Sequence, residues 1–152
     1  ILCFAKGMAN GFPIGGILTS DKISDSMTVG SHGTTFGGGP IACAIGSRVV
    51  DIISKKAFLS DVLKKEKKFL KSLNEIKSSY RCCNQISSAG LWVSVELSSI
   101  DIDDLIKLSH KNGLMVLKAN ATTIRFSPSL IIEDHLIEKG LEIFKKSILQ
   151  LQ

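Results

Sequence analysis

Apolar and polar residues follow one another along this chain with a spacing that changes from segment to segment, and each spacing predicts an element. Ile1 to Ala5 is an unbroken apolar run ending at Lys6, the mark of a short buried-type strand, and Phe12 to Leu18 predicts a second strand after a turn region at Gly7 to Gly11. Beyond Pro40, the positions Ala42, Ala44, Ile45, Val49, Val50, Ile52 and Ile53 predict a helix with proline in its first turn, where the missing N–H leaves no bond unmade. A longer helix is predicted over 57–78, where Phe58, Leu59, Val62, Leu63, Phe69, Leu70, Leu73 and Ile76 recur at helical spacing among lysines. From Gly90 to Leu97 the pattern alternates, which puts Val93, Val95 and Leu97 on one face of a half-buried strand. Asp101 to Lys111 reads as a helix with acidic residues at its start and His110 and Lys111 at its end, the polarity the helix dipole favours. Leu114 to Leu117 and Thr123 to Phe126 predict strands, and Glu133 to Leu149 predicts the closing helix.

Mixed helices and strands of this kind predict an α/β chain. At 152 residues, with 44% apolar and 22% charged residues, the composition is that of a water-soluble globular protein with room for one ordinary core, or one domain plus part of a second. Nothing approaches the apolar length of a membrane-spanning helix, and the start has neither the basic leader nor the long apolar run of a signal peptide, so the expected location is the cytoplasm. The first residue is not methionine and the chain opens directly in a strand-like run, which raises the expectation that the protein begins further upstream.

Charge changes this picture little. The net charge of +5 comes largely from seven lysines between Lys55 and Lys71, which fall on the predicted helix as its solvated side and lack the aromatic residues that stack on bases. Neither nucleic acid nor a membrane is an expected partner. Cys3, Cys43 and the adjacent Cys82 and Cys83 have no metal-ligand spacing and lie far from His32, His110 and His135, so no metal site is expected and reduced thiols are the default.

Two segments could carry chemistry. Lys6 is the sole charge among the first twenty residues, at the end of an apolar strand. A lysine in apolar surroundings tends to lose its proton and become a nucleophile suited to Schiff-base formation with a carbonyl cofactor. The plain alternative is a strand-end lysine that reaches solvent. Ten of the thirteen glycines lie at or before Gly46, and several fall in Gly30-Ser31-His32-Gly33-Thr34-Thr35-Phe36-Gly37-Gly38-Gly39-Pro40, which runs straight into a helix. Such a loop can hold a phosphate or carboxylate through backbone N–H groups and hydroxyls, or be only a tight connection; it matches neither the P-loop nor the dinucleotide fingerprint.

Taken together and in order, these segments resemble the class III pyridoxal 5'-phosphate (PLP) aminotransferases, and within them the acetylornithine branch. Phe4-Ala5-Lys6-Gly7-Met8-Ala9-Asn10-Gly11-Phe12-Pro13-Ile14-Gly15-Gly16 resembles the family's Schiff-base lysine segment, which implies that Lys6 is the catalytic, cofactor-linked residue. His32-Gly33-Thr34-Thr35-Phe36-Gly37-Gly38-Gly39-Pro40 is similar to its phosphate-contacting loop; the resemblance implies that Thr35 binds the phosphate of the neighbouring subunit's cofactor and that Thr34 lies beside the substrate. Ile124-Arg125-Phe126-Ser127-Pro128-Ser129-Leu130 resembles the motif whose arginine holds a substrate carboxylate, which implies that role for Arg125, although a strand-end ion pair is the plain reading of the residue alone. Gly39 stands where the family usually has Asn, Ser129 where it has a second Pro, and Ser87-Ser88 where it has Arg-Gly.

The implied fold is the C-terminal portion of a fold type I PLP-dependent transferase. Residues 1–56 would be the end of the large cofactor domain, 57–78 a connecting helix and 79–152 the small α+β domain. The implied reaction moves the terminal amine of N-acetylornithine, or a related ω-amino compound, to 2-oxoglutarate in arginine biosynthesis, in a homodimer. Ornithine, succinyldiaminopimelate and 4-aminobutyrate enzymes share the scaffold and remain alternatives, as does a catalytically silent portion that only dimerises. Because family members are longer at the N-terminal side, where other cofactor contacts lie, the 152 residues alone are expected to be inactive.

Overall fold

The computed structural model describes residues 1–152 and divides at Leu59/Ser60 into two compact units. In the first unit, β1 (Leu2–Phe4) and β2 (Gly16–Leu18) pair antiparallel, with Leu2 opposite Leu18 and Phe4 opposite Gly16. The ring of Phe4 lies over Gly16, where a Cβ would come within 2.6 Å of Phe4 Cε2, so any larger residue there would have to displace the ring. Both strands are shorter than their apolar runs predict. Phe12 and Pro13 bend and Ile14 and Gly15 stay outside the sheet instead of pairing, and Leu2 and Leu18 are exposed rather than buried. A four-residue helix, α1 (Asp21–Ser24), follows, and then α2 (Pro40–Ile53) with Pro40 in its first turn as expected.

The second unit is a four-stranded antiparallel sheet backed by helices. Its strands are β3 (Cys83–Ala89), β4 (Trp92–Leu97), β5 (Leu117–Asn120) and β6 (Thr123–Phe126), in the order β3-β4-β6-β5. The helices are α3 (Lys56–Ser79), which carries the division between the units near its start, α4 (Ile102–Lys111) and α5 (Asp134–Leu149). Val93, Val95, Leu97, Ile124 and Phe126 are the buried face of the sheet, as the alternation predicts for β4. Against it lie Phe69 and Leu73 of α3, Leu105 of α4, and Leu141, Phe144 and Ile148 of α5, all nearly or fully buried. Phe126 sits at the centre, edge-on to Phe69 at 5.4 Å and to Phe144 at 5.0 Å, pairs that each add about 1 kcal/mol beyond the area they bury.

Two differences from the sequence pattern have local causes. The strand expected at Leu114 to Leu117 starts at Leu117 because α4 ends in a left-handed cap: Gly113, at φ 92°, donates to His110 O, and Leu114 N–H reaches back to Ser109 O at 2.8 Å. Leu114 is thereby part of the helix ending. Strand β3 has no clear apolar alternation because it is a sheet edge, with Gln85 and Ser87 exposed. It joins β4 through Gly90 and Leu91, and Gly90 takes the positive φ of 60° that a two-residue hairpin loop requires.

Candidate functional site

The segment after β1 does not simply extend into solvent. Ala5 O accepts from Met8 N–H and Gly7 O from Asn10 N–H, closing a tight turn over Lys6–Ala9, and Asn10 and Gly11 then take positive φ. Small residues of α2 seat this turn: Ala42 and Gly46 are the helix's buried positions, and a Cβ on Gly46 would touch Met8 Cε at 3.5 Å and Ile14 Cδ1 at 3.6 Å. Ala9, in the same turn, is 2% exposed. The turn is anchored from behind and its first residue faces outward.

That residue is Lys6, at φ 53°. A non-glycine side chain in this left-handed region costs about 1 kcal/mol, and such strain persists where the surroundings hold it. Lys6 is exposed, so the apolar surroundings expected from the flanking sequence are not what its neighbours provide. It lines a hollow of about 410 Å³ with Gly7, Asn10, Gly11, Phe12, Pro13 and Ile14.

The glycine-rich loop is a separate hollow of about 450 Å³, lined by His32, Gly33, Thr34 and Gly37, none of which lines the hollow at Lys6. Thr34 O accepts from Gly37 N–H at 3.1 Å, and a Cβ on Gly37 would fall 2.5 Å from Thr34 Cγ2, so glycine is what lets the loop close on Thr34. Gly38 takes φ 69°, and Gly39 O accepts the first bond of α2 from Cys43 N–H. The Thr34 and Thr35 hydroxyls have no partner within the chain and are free to donate to an anion.

Arg125 belongs to the second unit. It lies on the sheet face turned away from the helices, opposite Ser94 and Leu117. Its guanidinium lies over the ring of Trp92, with Cζ 4.5 Å from the ring centroid. None of the chain's ion pairs includes it, and its Nε is buried without a hydrogen-bond partner. The strand-end ion pair of the plain reading is therefore not made. Leaving a buried donor unmet costs about 1–3 kcal/mol, and the Nη groups are the donors a carboxylate could reach.

Trp92 is the neighbour that sequence reasoning passed over. The signal was available: Trp92 is out of phase with Val93, Val95 and Leu97, which places it on the open face. No cluster of acidic, cysteine or histidine side chains is arranged to hold a metal. All four cysteines are free, with Cys3 and Cys43 exposed and Cys82 and Cys83 buried. No helix is long and apolar enough to cross a membrane.

Comparison with known proteins gives a consistent result. The family model described as aminotransferase class-III matches residues 1–148. The mitochondrial acetylornithine aminotransferase of Eremothecium gossypii is 38% identical over 148 residues, 97% of this chain and 35% of the relative. The acetylornithine/succinyldiaminopimelate aminotransferase of Photorhabdus laumondii is 40% identical over 154 residues, 99% of this chain and 38% of the relative. Among solved structures, the ornithine aminotransferase of Toxoplasma gondii, with PLP at partial occupancy in its active site, superposes with a TM-score of 0.86 at 25% identity over 98% of this chain and 36% of its own. The chain thus spans about a third of the length of the curated relatives it matches.

Proposed function

The chain belongs to the class-III aminotransferases, and from that premise we propose that it supplies the C-terminal portion of a PLP-dependent enzyme that moves the terminal amine of N-acetylornithine, or a related ω-amino compound, to 2-oxoglutarate. The names of the relatives support the donor, and one of them adds succinyldiaminopimelate to its range. On this reading residues 1–56 close the large cofactor domain, 57–78 connect, and 79–152 form the small domain. The division at Leu59/Ser60, close to the first of these boundaries, supports separating the first part from the rest. The four free thiols support a reducing compartment, here the cytoplasm, although the Eremothecium gossypii relative is named mitochondrial.

The observation that carries the proposal is Lys6, an exposed amine held in a strained turn at a strand end and beside a hollow. The residues fit the cofactor, since Lys6 offers an exposed amine and the loop offers the unengaged Thr34 and Thr35 hydroxyls, Thr34 lining a hollow together with His32, Gly33 and Gly37. When bound, PLP supplies an electron sink that makes the carbon bearing the amine acidic. Lys6 would hold the cofactor through its Nζ between turnovers, and the freed Nζ would be the base that takes up and returns the proton. Thr35 donates its hydroxyl to a phosphate oxygen and Thr34 borders the substrate. Arg125 meets a substrate carboxylate with the edge of its guanidinium. Thr35 serves the cofactor of a second copy, so the working form is a homodimer.

In the holoenzyme, Lys6→Ala is expected to abolish the visible absorption of lysine-bound PLP and to lower transamination by at least about a thousandfold. Activity with an unchanged spectrum would remove Lys6 from this role.

A further inference from the structure

Trp92 is 56% exposed, an unusual place for the chain's single tryptophan. The register sets Ala89 opposite Trp92 and gives the rest of its face Ser87, Ser94, Glu96, Arg125 and Leu117, so small and polar residues with one leucine surround it rather than an apolar layer. What it does touch is Arg125. Ser94 is directly opposite Arg125, which makes Trp92 the diagonal neighbour on the same face, within the reach of an aromatic side chain. The guanidinium carbon is 4.5 Å from the indole centroid, while Glu96, the carboxylate of that face, makes no ion pair with it.

We propose that Trp92 is a positioning residue that stacks on Arg125 and presents the edge of its guanidinium to the carboxylate of the substrate. The proposal rests on the reading of Arg125 as the carboxylate-holding residue. A guanidinium has two π faces and a rim of N–H donors. Stacking occupies a face and leaves the two Nη groups, the part of the rim that is not buried, free for a ligand, whereas an ion pair within the protein would occupy them. The stack also fixes a long, flexible side chain before the ligand arrives, so less freedom is lost on binding. Arginine is required on both counts, because a lysine has neither a flat face nor a two-pronged edge.

The test is titration of the full chain with 2-oxoglutarate, followed by calorimetry and by Trp92 emission. The wild type is expected to bind, with a change in emission that Arg125→Gln abolishes together with binding. Trp92→Leu should weaken binding by about three- to tenfold, and Trp92→Phe, which keeps a ring, should restore most of it, with both variants melting near the wild type. Wild-type affinity in Trp92→Leu, or a Trp92→Phe variant as weak as Trp92→Leu, would overturn the role of Trp92 while leaving Arg125 in place. Unchanged binding by Arg125→Gln would instead overturn the reading of Arg125, and absence of binding by the wild-type chain would overturn both.

Discussion

Individual side chains in this protein differ most in what surrounds them. Neither Lys6 nor Arg125 has a carboxylate partner, but Lys6 stands exposed in a strained turn while Arg125 lies over Trp92, half-buried, with an unmet donor. The cysteines divide just as sharply. Burial raises the Cys83 thiol to about 12, with the neighbouring Cys82 adding to the effect, whereas Cys3 and Cys43 are exposed. Since the thiolate is the reactive form, a thiol reagent at pH 8 is expected to modify Cys3 and Cys43 quickly and Cys83 only on unfolding. Peptide mapping during a time course checks this; early modification of Cys83 would show that its site opens in the native state.

Among the elements, α4 is the one whose stability follows from a single cap. The Asp101 carboxylate accepts from Asp104 N–H and Asp103 N–H at 3.0 and 2.9 Å, and these bonds hold its carboxyl below the ordinary range. A carboxyl more acidic in the folded than in the unfolded chain contributes in full above about pH 4 and loses its contribution as pH falls through the folded value. Asp101→Ala is therefore expected to lower the melting temperature by roughly 5 °C at pH 7, with the gap closing in acid, while Asp101→Ser should remain near the wild type at neutral pH. A gap that persists at pH 2 would point away from the cap. Asp101 reads in the sequence as the first acidic residue of its helix and not as the cap, whereas Pro40 opening α2 and the alternation of Val93, Val95 and Leu97 were legible because both patterns are local. Strand β3 was not, since an edge strand needs no apolar alternation, and the start of β5 was displaced by the cap at Gly113. The candidate site divides in the same way. Lys6, Thr34, Thr35 and Arg125 stand out through motifs, but the stack of Trp92 on Arg125 depends on a register between β4 and β6 that no local pattern encodes.

At the scale of the whole molecule, two units carry different parts of the proposed chemistry. The second owns a closed core around Phe126, and Arg125 lies on the other side of that sheet. The first buries little beyond Ala9, Ala42 and Gly46, and exposes Ile1, Leu2, Ile17, Leu18, Phe36 and Ile41. What that unit does fix is the turn at Lys6, seated on α2 through Met8 and Ile14. Selectivity for Lys6 over the lysines of α3 and α5 should therefore be a property of the fold and vanish in denaturant. The direct measurement is to mix the folded chain with pyridoxal phosphate, reduce with borohydride and map the modified peptides. The expected result is a reduced pyridoxyl group concentrated on Lys6, and on no preferred lysine in urea. Labelling spread over the helical lysines of the folded chain, with Lys6 no more modified than they are, would contradict the assignment of Lys6 as the cofactor's lysine.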